Sequence, residues 1–125
     1  MEQLYTEWLE FARDDFESAE ILLERKRFRN ALYLAQQASE KGFKAYLFFK
    51  EQPLLKSHDL RKLLDLALVL DESFSEIKHP ALELNGLDVS FRYPGESKYE
   101  LESDYVQIAI EYAEQVLIFI ESKCQ

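Results

Sequence analysis

The chain has 125 residues, a formal net charge of −9, 47% hydrophobic residues and a single cysteine. Such a length supports one domain, residues 1–125, with a core that buries about two thirds of the unfolded surface, so neither a disulfide nor a metal is needed to hold it. Lone Cys124 excludes an intramolecular bridge and thiolate metal clusters, and the acidic balance argues against a broad, sequence-blind grip on nucleic acid, which comes from neutralising many phosphates.

The acidic start, Met1 through Trp8, lacks a basic segment followed by an apolar one, and no window reaches the apolar length of a membrane span. Together with the cysteine usage, this gives the expectation of a soluble cytoplasmic protein. Charge is unevenly divided. Residues 1–24 carry eight acids and one base, residues 25–62 ten bases and three acids, and residues 63–125 four bases and thirteen acids. Two readings fit a basic middle: neighbouring helices of opposite charge whose faces pair, or a small anion site for one or a few phosphates, with acidic flanks repelling longer polyanions.

Only three glycines and three prolines occur, and no long stretch alternates apolar with polar residues, so the expected class is all-α. A first helix over about 2–24 places Tyr5, Trp8, Leu9, Ala12, Phe16, Ala19 and Leu23 on one face, with Leu4, Phe11 and Leu22 widening the stripe. The run Arg25, Lys26, Arg27, Arg29 reads as a helix end and turn, where cations favour the negative end of the helix dipole. A second helix over about 27–50 follows, stopped by Pro53. Its small residues Ala31, Ala35, Ala38, Gly42 and Ala45 recur at three and four, a face that lets another helix approach closely. Gln37, Lys41 and Lys44 share a second face.

Ser57 is the expected N-cap of a third helix carrying Leu60, Leu63, Leu64, Ala67, Leu68 and Val69. Ser73 to Leu84 reads as a shorter helix disturbed by Pro80 and closed by Asn85 and Gly86. Residues 88–103 read as a loop, and 103–123 as the last helix, with Val106, Ala109, Ile110, Ala113, Val116, Leu117 and Ile120 inward. The expected architecture is an up-and-down four-helix bundle with an additional short helix and a loop before the last helix. Nine Phe, seven Tyr and one Trp are a heavy aromatic load for such a bundle. Some of Tyr46, Phe48, Phe49, Phe91 and Tyr93 are therefore expected on an exposed partner surface, with a homodimer as the default assembly.

Two histidines are too few for a histidine-based metal centre, Glu76 and His79 match a Glu-x-x-His spacing only once, and no phosphate loop or nucleophile elbow occurs. No metal and no cofactor is implied. The candidate ligand-binding set is Gln37, Lys41, Lys44, His58, Asp59, Arg92 and Tyr93: donors from the second helix, His58 beside the free amides that open the third, and an Arg able to fork onto a phosphate. Against it stands a purely structural alternative. Lys41 would pair with Glu40 or Glu114, His58 and Asp59 would cap the third helix, and Arg92 would pin its loop to a carboxylate.

Phe11 through Leu23, Ala31 through Ala45 with its Gln37-to-Lys41 centre, His58-Asp59-Leu60 with Leu63 and Leu64, and Arg92-Tyr93-Pro94 ahead of the last helix resemble, in order and spacing, a HEPN-domain protein of the stand-alone prokaryotic kind. The resemblance implies a helical bundle of the nucleotidyltransferase substrate-binding type, usually dimeric, often encoded beside a minimal nucleotidyltransferase as a toxin–antitoxin-like pair. Many members are metal-independent ribonucleases with an Arg separated by four to six residues from a following His. That motif is missing here: the window ahead of His58 holds Glu51, Gln52 and Pro53, and that ahead of His79 holds Glu72, Ser73 and Phe74. In such a site the His moves the proton and the Arg stabilises the phosphorane charge. The expectation is therefore a non-catalytic nucleotide- or substrate-binding module working with a separate nucleotidyltransferase. The alternatives are a ribonuclease toxin using His58 and Arg92, and a plain dimeric scaffold.

Overall fold

In the computed structural model, which describes residues 2–87, 94 and 101–125, every regular element is helical: α1 (Glu2–Glu24), α2 (Phe28–Phe49), α3 (Leu60–Leu70), a 3₁₀ helix (Glu72–Ile77), α4 (Lys78–Leu84) and α5 (Ser103–Lys123). The all-α bundle with its additional short helical piece is the architecture the pattern called for. The loop expected over 88–103 lies mostly outside the described residues. No helix among the described residues is long and apolar enough to cross a membrane.

The turns explain where the long helices stop. After α1, the Arg27 amide reaches back to the Leu22 carbonyl and the Lys26 amide to Leu23; after α2, Gln52 reaches Leu47 and Glu51 reaches Phe48. Both are Schellman closures, which need a left-handed residue and usually take Gly. Here Lys26 (φ 59°) and Glu51 (φ 58°) fill that position. The basic run from Arg25 is thus a helix end and turn.

Every member of the small-residue stripe, Ala31, Ala35, Ala38, Gly42 and Ala45, is buried. Gly42 faces α5 so closely that a Cβ there would lie 2.8 Å from Leu117 Cδ2 and 3.4 Å from Ile120 Cδ1. On its other side α2 packs antiparallel to α1, with Lys41 opposite Asp15 and Trp8 stacked on Phe48 at 6.0 Å. All seven inward positions expected on α5 are buried, and on α1 Ala12, Phe16 and Ala19 are buried while Tyr5, Trp8, Leu9 and Leu23 are half-buried. Leu4 and Phe11 do not widen the α1 core stripe; both are exposed, and Lys41 Nζ lies 5.9 Å from the Phe11 ring centroid.

Residues 51–59 return along α2 without helix, so α3 starts beside Glu40, where His58 touches it, and ends beside Leu47. α3 therefore runs in the direction of α2, so the up-and-down order expected of the bundle is interrupted at this pair, because residues 51–59 carry the chain back before α3 begins. Its cap differs from expectation: Asp59, not Ser57, is the N-cap and accepts from the Arg61 amide at 2.9 Å, while Ser57 Oγ accepts from the Asp59 amide. Asp59 lies two residues before the amide it must reach, the geometry a cap carboxylate needs. Asn85 clamps this start from α4, donating to Asp59 Oδ1 and accepting from the Leu60 amide. Val69, part of the apolar run of α3, is 85% exposed, and Tyr46, one of the five aromatics of which some are expected on a surface, is fully buried, its ring centroid 4.4 Å from that of Phe74. Phe48 and Phe49 are half-buried; Phe91 and Tyr93 lie outside the described residues. Pro80 is tolerated because it falls in the first turn of α4, where its missing N–H costs no intrahelical bond.

Candidate functional site

The charged groups of α2 meet the entry to α3 at one carboxylate. Glu40 is 2% exposed. Its Oε2 accepts from Lys44 Nζ at 3.3 Å, one helical turn on, and lies 2.9 Å from His58 Nδ1. Lys44 is itself buried, with Nζ 5.7 Å from the centroid of the Trp8 ring, so a carboxylate and an aromatic face share its charge. Oε1 of Glu40 is buried with no hydrogen-bond partner among the described residues.

A buried carboxylate normally uses its remaining lone pairs, because leaving one unpaired forfeits solvation that water would supply. Glu40 is thus both the hub of the cluster and its incomplete member. The His58 side chain is 83% exposed, with one ring nitrogen against the hub. With Nδ1 against the carboxylate, Nε2 is the ring nitrogen turned away from the hub.

Not every sequence candidate belongs to this cluster. Lys44 and His58 meet at Glu40. Lys41 points the other way, to Asp15 Oδ2 on α1 at 2.6 Å, rather than to Glu40 or Glu114; successive turns of α2 direct the two lysines to different neighbours. Both lysines of the cationic stripe therefore carry internal carboxylate partners, Lys41 on the neighbouring helix, as in the reading in which opposite charges on neighbouring helices pair, and Lys44 on its own. Gln37 lies half-buried on α2, and Asp59 is engaged in the α3 cap. Arg92 and Tyr93 lie outside the described residues. Glu40 was missed as a site residue because, in sequence, it reads as a neighbour of Lys41. The usable signal was its i,i+4 relation to Lys44, the orientation favourable for a helical ion pair. Among the described residues no three His, Cys, Asp or Glu side chains converge as metal ligands.

The family model for the HEPN domain matches residues 5–123, nearly the whole chain, and the chain belongs to that family. Among solved structures it is similar to TT1696 from Thermus thermophilus, with 25% identity, a TM-score of 0.81 and coverage of 95% of this chain and 97% of that one. It is also similar in fold to ST0689, described as an archaeal HEPN homologue, with 21% identity, a TM-score of 0.76 and coverage of 97% and 98%. No curated protein matches it.

Proposed function

We propose that this HEPN module is the non-catalytic, nucleotide- or substrate-binding half of a two-part system, a homodimer that works with a separate minimal nucleotidyltransferase in a toxin–antitoxin-like pair. The observation that carries the binding role is the incomplete hub: a buried carboxylate with one unsatisfied oxygen, adjoining an exposed histidine that offers a free ring nitrogen. Membership of the HEPN family supports the module, and the lack of an Arg at residues 51–53 and 72–74 supports a role without cleavage. Because Lys41 and Lys44 are paired with carboxylates and Glu40 Oε1 is buried, the group offered to a ligand is the His58 imidazole. An imidazole held by a carboxylate suits a base edge or a ribose hydroxyl better than a bare phosphate.

Titration calorimetry with ATP and with GTP tests this reading. Binding heat in the native protein that is lost in His58→Ala is the expected result, and silence with both nucleotides refutes the binding role. One observation favours a second reading: the Glu40–His58 contact is also how a general base is oriented. A ribonuclease using His58 and Arg92 would cleave RNA without metal and lose that cleavage in His58→Ala. A plain scaffold would associate and bind nothing.

A further inference from the structure

We propose that the turn joining α1 to α2 is a second binding site, separate from the Glu40–His58 cluster, and that it takes a compact, phosphate-rich anion such as a di- or triphosphate group. Four of the five residues 25–29 are cations. Arg25, Lys26, Arg27 and Arg29 are all exposed, and none has an ion pair among the described residues. Lys26, Arg27, Arg29 and Asn30 line one hollow of about 320 Å³, to which Leu101, ahead of α5, also contributes. Glu24, Glu102 and Asp104 are the carboxylates nearest to this lining along the chain; they too are exposed, and none of them pairs with the basic run.

Stability alone does not account for these cations. Lys26 holds a left-handed backbone position that favours glycine. Arg27 is the N-cap of α2 and Arg29 lies in its first turn, the positive end of the helix dipole, where a carboxylate is favoured and a cation is not. That turn contains no acid, and no side chain caps it. Pairing with a carboxylate, which explains Lys41 and Lys44, does not reach this run. Like charges gathered at the unfavourable end of a helix raise the free energy of the empty protein, and an anion seated among them reverses the sign of each interaction. Local preferences broken together around one hollow mark a functional position. The hollow offers two guanidinium forks, an ammonium and an amide, a donor set for many acceptor oxygens in a small volume. A di- or triphosphate concentrates its charge in that way, whereas an acidic peptide spreads its carboxylates along a chain. The net charge of −9 repels a long polyanion such as a nucleic-acid backbone. Arg27 precedes Glu40 by thirteen residues, about 20 Å along α2 at 1.5 Å per residue, so the hollow is distinct from the histidine site.

Titration calorimetry with inorganic tripolyphosphate, in the absence of nucleotide, tests the assignment. The native protein binds it at one site per chain, and Arg27→Gln combined with Arg29→Gln weakens binding by about tenfold or more. Arg61→Gln combined with Lys62→Gln removes the same charge from exposed cations elsewhere and leaves binding unchanged. His58→Ala also leaves it unchanged, which separates this site from the role proposed for the histidine. Thermal melts supply a readout that a structural role would not give. Arg27→Ser combined with Arg29→Glu provides the cap and the first-turn acid that α2 lacks, so it raises the melting temperature of the free protein while abolishing the rise that tripolyphosphate brings to the native one. Absence of tripolyphosphate binding, or equal weakening by the Arg61 and Lys62 changes, overturns the assignment. So does a free protein destabilised by Arg27→Ser with Arg29→Glu, which makes the cations structural, or single-stranded RNA lacking a terminal phosphate that binds this turn more tightly than tripolyphosphate, which makes the ligand a longer polyanion.

Discussion

Gly42 is the position where the close packing of α2 on α5 is most open to test. Gly42→Ala adds one methyl carbon where Leu117 Cδ2 would lie at 2.8 Å, whereas carbon atoms attract optimally at about 3.5–4.0 Å. Leu117 is 1% exposed, so its methyl group must shift within a packed core, an overpacking cost of about 1–3 kcal/mol. Ala in a helix interior returns about 1 kcal/mol relative to Gly. The net expectation is a loss of about 0–2 kcal/mol for Gly42→Ala. Gly42→Leu adds three further carbons without further helix benefit, and a loss above about 3 kcal/mol is expected from the same overpacking. Urea denaturation monitored by circular dichroism reads both. Leu117→Ala in the Gly42→Ala background should cost less than in the native protein, since the new methyl group occupies part of the vacated space. A Gly42→Leu protein as stable as the native one would refute the close approach of α2 and α5.

Three other perturbations follow from the geometry. Lys44→Met leaves Glu40 buried without its cation and should cost about 3–5 kcal/mol, whereas adding Glu40→Gln to it should recover part of that loss; equal, additive losses in a double-mutant cycle would contradict a buried pair. Burial, reinforced by Glu121, pushes the Cys124 thiol from 9.0 up to about 11, so the unfolded chain loses its proton first. Stability contributed by the neutral thiol is whole below about pH 9 and declines by about 2–3 kcal/mol as pH rises to 11. Burial also raises Tyr46, which adds to the alkaline decline, and Cys124→Ala should flatten the curve in part, as thermal melts between pH 8 and 11 would register. Lys26→Gly and Glu51→Gly remove side chains from left-handed positions and should each stabilise by about 0.5–1 kcal/mol; a loss of stability in both would argue against the Schellman closures.

Much of the scaffold was legible because it obeys one period. The stripe from Ala31 to Ala45 and the seven inward positions of α5 repeat at three and four, and burial follows that repeat without tertiary interference. Val69 escaped because the pattern cannot tell which apolar side of a short helix faces the core, and Tyr46 because its burial depends on Phe74, far off in sequence, which packs against its ring. The stripe of Gln37, Lys41 and Lys44 was correctly placed on α2, but its meaning was not. Whether a lysine is free or paired depends on Asp15 and Glu40, and only three dimensions show Lys41 crossing to α1 while Lys44 turns to its own helix. Glu40 became visible as a hub only once the return of residues 51–59 brought His58 to it.

The binding role is the centre of this account, and recovery of the tagged protein from its native cells, with analysis of everything that accompanies it, tests it most directly. The account predicts a nucleotide at defined stoichiometry or a small nucleotidyltransferase, lost when His58 is replaced by Ala. A homodimer that carries neither would contradict it and leave a scaffold, and bound RNA cleaved without metal would replace it with a nuclease.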